Sequence, residues 1–102
     1  MERITGKQIL PSIFEGYIKQ MDEKLKEIKC DAISKDSLSI YRTAHAIKSM
    51  STNIGADKVR AISFQIEKSS KAQELDGLSE IIELLVNAYD EFVKRFSEEV
   101  IL

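Results

Sequence analysis

Leu10, Ile13, Phe14, Tyr17, Met21, Leu25 and Ile28 follow one another at steps of three and four. Residues spaced this way share one stripe only if the chain turns once every roughly 3.6 residues, so the segment reads as an amphipathic helix. Pro11 fits its first turn, where no backbone donor is needed. The helix is expected to fray near Lys29 and Cys30. The same spacing recurs three times. Ile40, Thr43, Ala44, Ile47, Ser51 and Ile54 form the inner face of a second helix. Ser34, Lys35, Asp36 and Ser37 supply its candidate N-caps. Asn53, Ile54 and Gly55 break it, because Asn and Gly tolerate the left-handed conformation that ends helices. Val59, Ile62, Ser63 and Ile66 line a third helix. Asp76 is the candidate N-cap of a fourth, with Leu78, Ile81, Leu85, Ala88, Tyr89, Phe92 and Phe96 as its stripe. The expected helices are near 9–30, 36–53, 56–72 and 77–100. Links of roughly 3 to 6 residues make consecutive helices antiparallel neighbours. The fold class is therefore all-α, an antiparallel up-and-down four-helix bundle.

The 102 residues suffice for one domain, 1–102, with its core over about 9 to 100. A hydrophobic share of 43% supports a packed core rather than disorder. The formal charge is −2 with both signs mixed, which gives no electrostatic reason to expect nucleic acid or an anionic membrane as partner. No apolar run approaches the roughly 20 residues of a membrane span, and Met1–Thr5 lacks the apolar core of a secretory signal. Cys30 is the sole cysteine, so no internal disulfide forms; a reducing cytoplasm suits it. One His and one Cys in separate segments do not make a metal site. No glycine-rich phosphate loop is present, so the chain is not expected to bind ATP. A monomer without a cofactor of its own is the expectation.

The second helix carries the chemistry. With residues set about 100° apart, His45 falls nearly opposite the inner face, among Leu38, Tyr41, Arg42, Lys48, Ser49 and Thr52. A lone outward histidine is usually a solvated bystander. Here Tyr41 and Leu38 stand on the solvent side one and two turns earlier, and Lys48 shares the surface three residues on. Ser49 and Thr52 are small and leave the ring approachable. A neutral imidazole offers one nitrogen lone pair near neutral pH. That nitrogen can attack phosphorus and form a labile N–P bond, while Lys48 balances charge on the phosphoryl oxygens. There is no carboxylate cluster suited to Mg²⁺, so a metal would come from a partner. On the third helix, Phe64, Glu67 and Lys71 are expected on the outer side, away from Val59 and Ile66. An exposed Phe among polar residues can mark a docking surface. Phe92 and Phe96 read as core.

The run Ala44-His45-Ala46-Ile47-Lys48-Ser49-Met50-Ser51-Thr52-Asn53-Ile54-Gly55-Ala56 resembles the active-site stretch of histidine-containing phosphotransfer domains. That stretch reads Ala-His-x-hydrophobic-Lys-Gly, a few small residues, then hydrophobic-Gly-Ala. The pattern Val59, Ile62, Ser63, Ile66, Glu67 is also similar to the family's, and the likeness extends over about residues 9 to 100. It implies that His45 is the phosphorylated residue, Lys48 its supporting cation and Gly55 the helix-ending glycine. Ser49 stands where the family usually has glycine. Glu67 stands where some members carry a polar residue close to the histidine.

By resemblance, the chain is a phosphocarrier module rather than a stand-alone enzyme. His45 would accept a phosphoryl group from an aspartate of a response-regulator receiver domain and pass it to another receiver. Any Mg²⁺ would sit on the receiver. The module would work in the cytoplasm, free or within a membrane-bound hybrid sensor kinase, without touching the membrane itself. Two alternatives stay open. Ile40–His45 looks somewhat like the N-terminal phosphotransfer domains of chemotaxis-type histidine kinases, where a kinase domain is the donor. A helical adaptor in which His45 is incidental belongs to a different class. Receiver docking is expected over Leu38, Tyr41, Ser49 and Thr52 and the ridge of Phe64, Glu67 and Lys71.

Overall fold

The computed structural model describes residues 11–100, with side chains as far as residue 97. It holds four helices, α1 (Pro11–Ser34), α2 (Ser37–Ile54), α3 (Asp57–Lys71) and α4 (Leu78–Val100), and no strand among the described residues. Each helix packs on its chain neighbours and α4 returns to α1, so the four close a ring. The molecule is an all-α four-helix bundle, as the four stripes require. The buried set of α2 comprises Ile40, Thr43, Ala44, Ile47, Ser51 and Ile54, the six residues the spacing assigned to its inner face.

Three stripes differ from the expectation at their edges, Ile62 of α3 being only half-buried. Ile13 is exposed, because it lies well to one side of the line through Phe14, Tyr17, Met21 and Leu25. Leu10 lies outside the described residues. On α4, Ile82 is buried, while Ile81 and Phe92 are half-buried and pack against the core from the other edge of the stripe. Phe96 is buried and stacks on Phe14 with ring centroids 3.9 Å apart, so the α4 aromatics serve the α1–α4 seam.

The helix ends share one device. Gly55 adopts φ 79° and donates to the Thr52 carbonyl, while Ala56 N–H donates to the Ser51 carbonyl at 2.8 Å. These paired bonds satisfy carbonyls left over at the end of α2. Lys35 does the same for α1 with φ 56°, and Gln73 for α3 with φ 59°. This is why α1 continues past Cys30 to Ser34 instead of fraying there. Asp36 then caps α2, its carboxylate accepting from Ser39 N–H at 3.2 Å and Ser39 hydroxyl at 2.9 Å. Before α4 the adjacent residue is Gly77, with φ 76°, rather than Asp76; the Gly77 carbonyl accepts from Ile81 N–H.

Lysine at a left-handed position is strained by its β-carbon, at a cost of roughly 1 kcal/mol. Lys35→Gly is therefore expected to stabilise the bundle by about 0.5–1 kcal/mol. Thermal unfolding should show a melting temperature several degrees higher, whereas Lys35→Ala, which keeps the β-carbon, should show no gain.

Candidate functional site

α2 is fixed on its neighbour by polar bonds as well as by its apolar face. The Tyr17 hydroxyl and Ser51 hydroxyl bond at 2.8 Å in the core. Burial pushes the Tyr17 hydroxyl up to about 12, against the pull of the Ser51 bond, so it stays neutral across the physiological range. Thr43 hydroxyl donates to the Asp31 carboxylate at 3.1 Å. Between these anchors Ala44 and Ile47 enter the core, and His45 comes out of it with its side chain 56% exposed.

The histidine does not stand free on the far side of α2. Its Nδ1 lies 2.5 Å from Glu67 Oε1 on α3. The other oxygen of the same carboxylate, Oε2, accepts from Lys48 Nζ at 2.7 Å. Glu67 is buried, with a side chain only 6% exposed. This corrects its placement on the outer side of α3. On a helical wheel it falls at the edge of the Val59–Ile66 stripe, and α2 packs so closely against that edge that it is covered. Small buried residues on both helices permit the approach: Ala44 and Ser51 on α2, Ser63 and Ser70 on α3. Ser63 and Ser70 satisfy their hydroxyls on the Val59 and Ile66 carbonyls, each at 2.8 Å, and need no partner across the seam.

Burial raises the Glu67 carboxyl, but hydrogen bonds from Lys48 and His45 more than offset it and hold the group below the ordinary glutamate value. An ionised carboxylate only accepts. The proton between Glu67 and a neutral His45 ring therefore belongs to Nδ1, which leaves the lone pair on Nε2. Nε2 has no hydrogen-bond partner among the described residues. The arrangement thus holds a ring in one tautomer and presents the opposite nitrogen to solvent as a nucleophile.

Around the ring, Tyr41 lies nearly parallel to His45 with centroids 6.2 Å apart. Lys48 Nζ sits 5.1 Å from the Phe64 ring centroid, and Lys68 Nζ sits 5.3 Å from it. Phe64 therefore gathers two cations rather than projecting alone. Leu38, Tyr41 and Lys71 line a shallow groove of about 330 Å³ together with Ser37, Ser70 and Gln73. Ser49 is exposed beside the histidine. Thr52 is exposed too, but its hydroxyl donates back to the Lys48 carbonyl at 2.8 Å.

The structure thus gathers His45, Lys48, Glu67 and Phe64 into one network, and Leu38, Tyr41 and Lys71 into a groove beside it. The chain pattern did not disclose the shared carboxylate or the two lysines on Phe64. One signal was available: α2 contains Arg42 and Lys48 and no acidic residue, so any carboxylate for its histidine had to come from another helix. Among the described residues no cluster of three or more His, Cys, Asp or Glu is placed to hold a metal ion.

Fold and site together define a helical bundle that presents a single oriented imidazole from the middle of one helix. The family model described as Hpt domain matches residues 12–95, and the chain belongs to that family. Hpt domains carry out histidine phosphotransfer in two-component phosphorelays, interacting with response regulators and kinases, and this is the chain's class of function. No curated protein and no solved structure matches the chain at a significant level.

Proposed function

We propose that His45 carries the phosphoryl group, accepting it from an aspartyl phosphate on a receiver domain and returning it to a second receiver. The observation that supports this reading is the bond between Nδ1 and Glu67, which leaves Nε2 as the exposed nucleophile. Nε2 attacks phosphorus as the bond from phosphorus to the aspartate oxygen breaks. The aspartate leaves with that electron pair. The ring gains positive charge, and Glu67 stabilises it through the Nδ1 proton without taking the proton away. Lys48 keeps Glu67 ionised and offsets part of the phosphoryl charge. The second receiver reverses the step. A kinase donor would meet the same nitrogen, so the direction of flow does not alter the residue roles.

The docking surface in this reading is Leu38, Tyr41, Ser49, Thr52, Phe64 and Lys71 around the ring, with Glu67 beneath it. A patch with an apolar centre and polar rim suits a small transient interface. The Mg²⁺ that assists transfer belongs to the receiver. One copy suffices, since all three central side chains come from one chain. No described helix is long and apolar enough to cross a membrane, which fits a module working in the cytoplasm, alone or within a sensor kinase.

Incubation with a phosphorylated receiver should give an acid-labile, base-stable label on His45. A chain that no receiver or kinase labels would be an adaptor instead. Ser49→Phe should reduce receiver-dependent labelling by at least tenfold, because the new ring occupies the approach to Nε2; a wild-type transfer rate would show that receivers dock elsewhere.

A further inference from the structure

The charges of this bundle are sorted by helix. α2 carries two cations and no acidic residue. α3 carries Lys58, Arg60, Lys68 and Lys71 against Asp57 and Glu67, and Glu67 is buried between His45 and Lys48. α4 has the opposite balance as far as residue 97, with Glu80, Glu83, Asp90 and Glu91 against Lys94 and Arg95. α1 is slightly acidic as well. A chain whose net charge is −2 thus turns a positive face outward, and His45 stands on it.

Two cations stand on the α3 side of the histidine. Lys68 adjoins Glu67 and rests against Phe64, and Lys71 lines the groove that Leu38 and Tyr41 share. Both are exposed and form no ion pair among the described residues. Arg42 turns to the α1 side of α2, where it lines a pocket with Glu27 and Asp31 and acts on the Asp36 carboxylate. Lys58, at the far end of α3, is instead paired with Glu91 of α4 at 3.2 Å. Lys68 and Lys71 therefore leave positive charge without an ion pair at the histidine end of α3, and Arg60 adds an exposed cation nearer its start.

We propose that this face selects its partner by an acidic surface, with Lys68 and Lys71 steering that surface onto His45. The proposal rests on the reading of His45 as the phosphoryl carrier. An aspartate that exchanges a phosphoryl group with the aid of Mg²⁺ needs further carboxylates to hold the ion. The partner's reacting surface is accordingly rich in negative charge. An acidic bundle with evenly spread charge would repel it. Sorting the cations onto α2 and α3 makes the histidine-bearing side attractive, within the roughly 10 Å over which charges act at moderate salt. Steering of this kind raises association rates and falls with ionic strength.

The test compares transfer from a phosphorylated receiver domain at about 20 and about 300 mM salt. Wild-type second-order rates should fall by about tenfold over that range. The double variant Lys68→Gln, Lys71→Gln should start about tenfold slower at low salt and show a much flatter dependence. Lys26→Gln, which removes an exposed cation from α1, should match wild type at every salt. A wild-type rate that ignores salt, or an equal loss in Lys26→Gln, would overturn the proposal. Labelling of the wild-type chain by phosphoramidate, a small donor that needs no docking, separates the two readings. If that label fails to appear on His45, the carrier assignment falls; if it appears and transfer ignores salt, only the steering surface does.

Discussion

His45→Gln is expected to accept no phosphoryl group from any receiver, at any concentration, while remaining folded. An amide nitrogen has no lone pair free to attack phosphorus, and no other side chain of the network is a nucleophile of the required kind. The structural cost is larger than for an ordinary surface position, where about 0.5 kcal/mol is usual. The ring bonds to a buried carboxylate, so its loss should cost about 1 kcal/mol, with Lys48 still holding Glu67. Labelling and a thermal melt on the same sample check both halves. A variant that unfolds would show the histidine to be a structural element.

Glu67→Gln is expected to slow transfer by about 10²- to 10³-fold without moving any helix. The amide matches the carboxylate in shape but presents one oxygen and one NH₂ group. With its oxygen on the His45 proton, its NH₂ opposes the Lys48 ammonium, donor against donor. Turned the other way, it donates to Nδ1, and the ring proton must then sit on Nε2, where it covers the attacking lone pair. Either outcome removes the charge that stabilises the ring as it becomes cationic.

The same variant carries a pH signature. Glu67 titrates below the ordinary glutamate value of 4.5 in the folded chain, because the Lys48 and His45 bonds outweigh burial. The folded state therefore binds this proton less tightly than the unfolded state does. The stability linked to it is fully present above about pH 4.5 and is lost as the pH falls through the folded value. Urea midpoints measured from pH 7 down to about 3 should fall more steeply for wild type than for Glu67→Gln. Asp36 is also held below its ordinary value by its Ser39 bonds, but it titrates alike in both proteins and cancels in the comparison. Parallel profiles would mean that Glu67 is not the titrating anchor.

The fold was legible because spacing alone decides which side of a helix is buried. Ile40, Ala44, Ile47 and Ser51 could face inward together only on a helix, and they do. Gly55 marked its own turn, since few residues adopt its backbone angle without strain. Lys35 and Gln73 adopt similar angles and were invisible, because nothing in a lysine or glutamine signals a left-handed position. Ile13 was misjudged because a stripe has edges, and only the neighbouring helix decides which edge is covered.

The site was half legible for a related reason. His45 and Lys48 share one helix, so their common surface follows from their separation. Glu67 reaches them from another helix, 22 residues from the histidine, and its role depends on how closely α2 and α3 pack. That closeness comes from alanines and serines at the seam, whose small size has no signature until both helices are in place. Phe64 read as an exposed apolar residue; only the three-dimensional arrangement reveals the two lysines against its ring, Lys48 from α2 and Lys68 from its own helix.

The central claim is that Glu67 holds the proton on Nδ1 so that Nε2 carries the phosphoryl group. Proton–nitrogen correlation spectra of the imidazole, recorded on the ¹⁵N-labelled chain before and after phosphorylation, read both nitrogens directly. The account predicts a protonated Nδ1 and a bare Nε2 in the free chain at pH values where the ring is neutral, then phosphorus coupling to Nε2 with Nδ1 still protonated. Phosphorus coupled to Nδ1, or a free ring whose proton resides on Nε2, would contradict it.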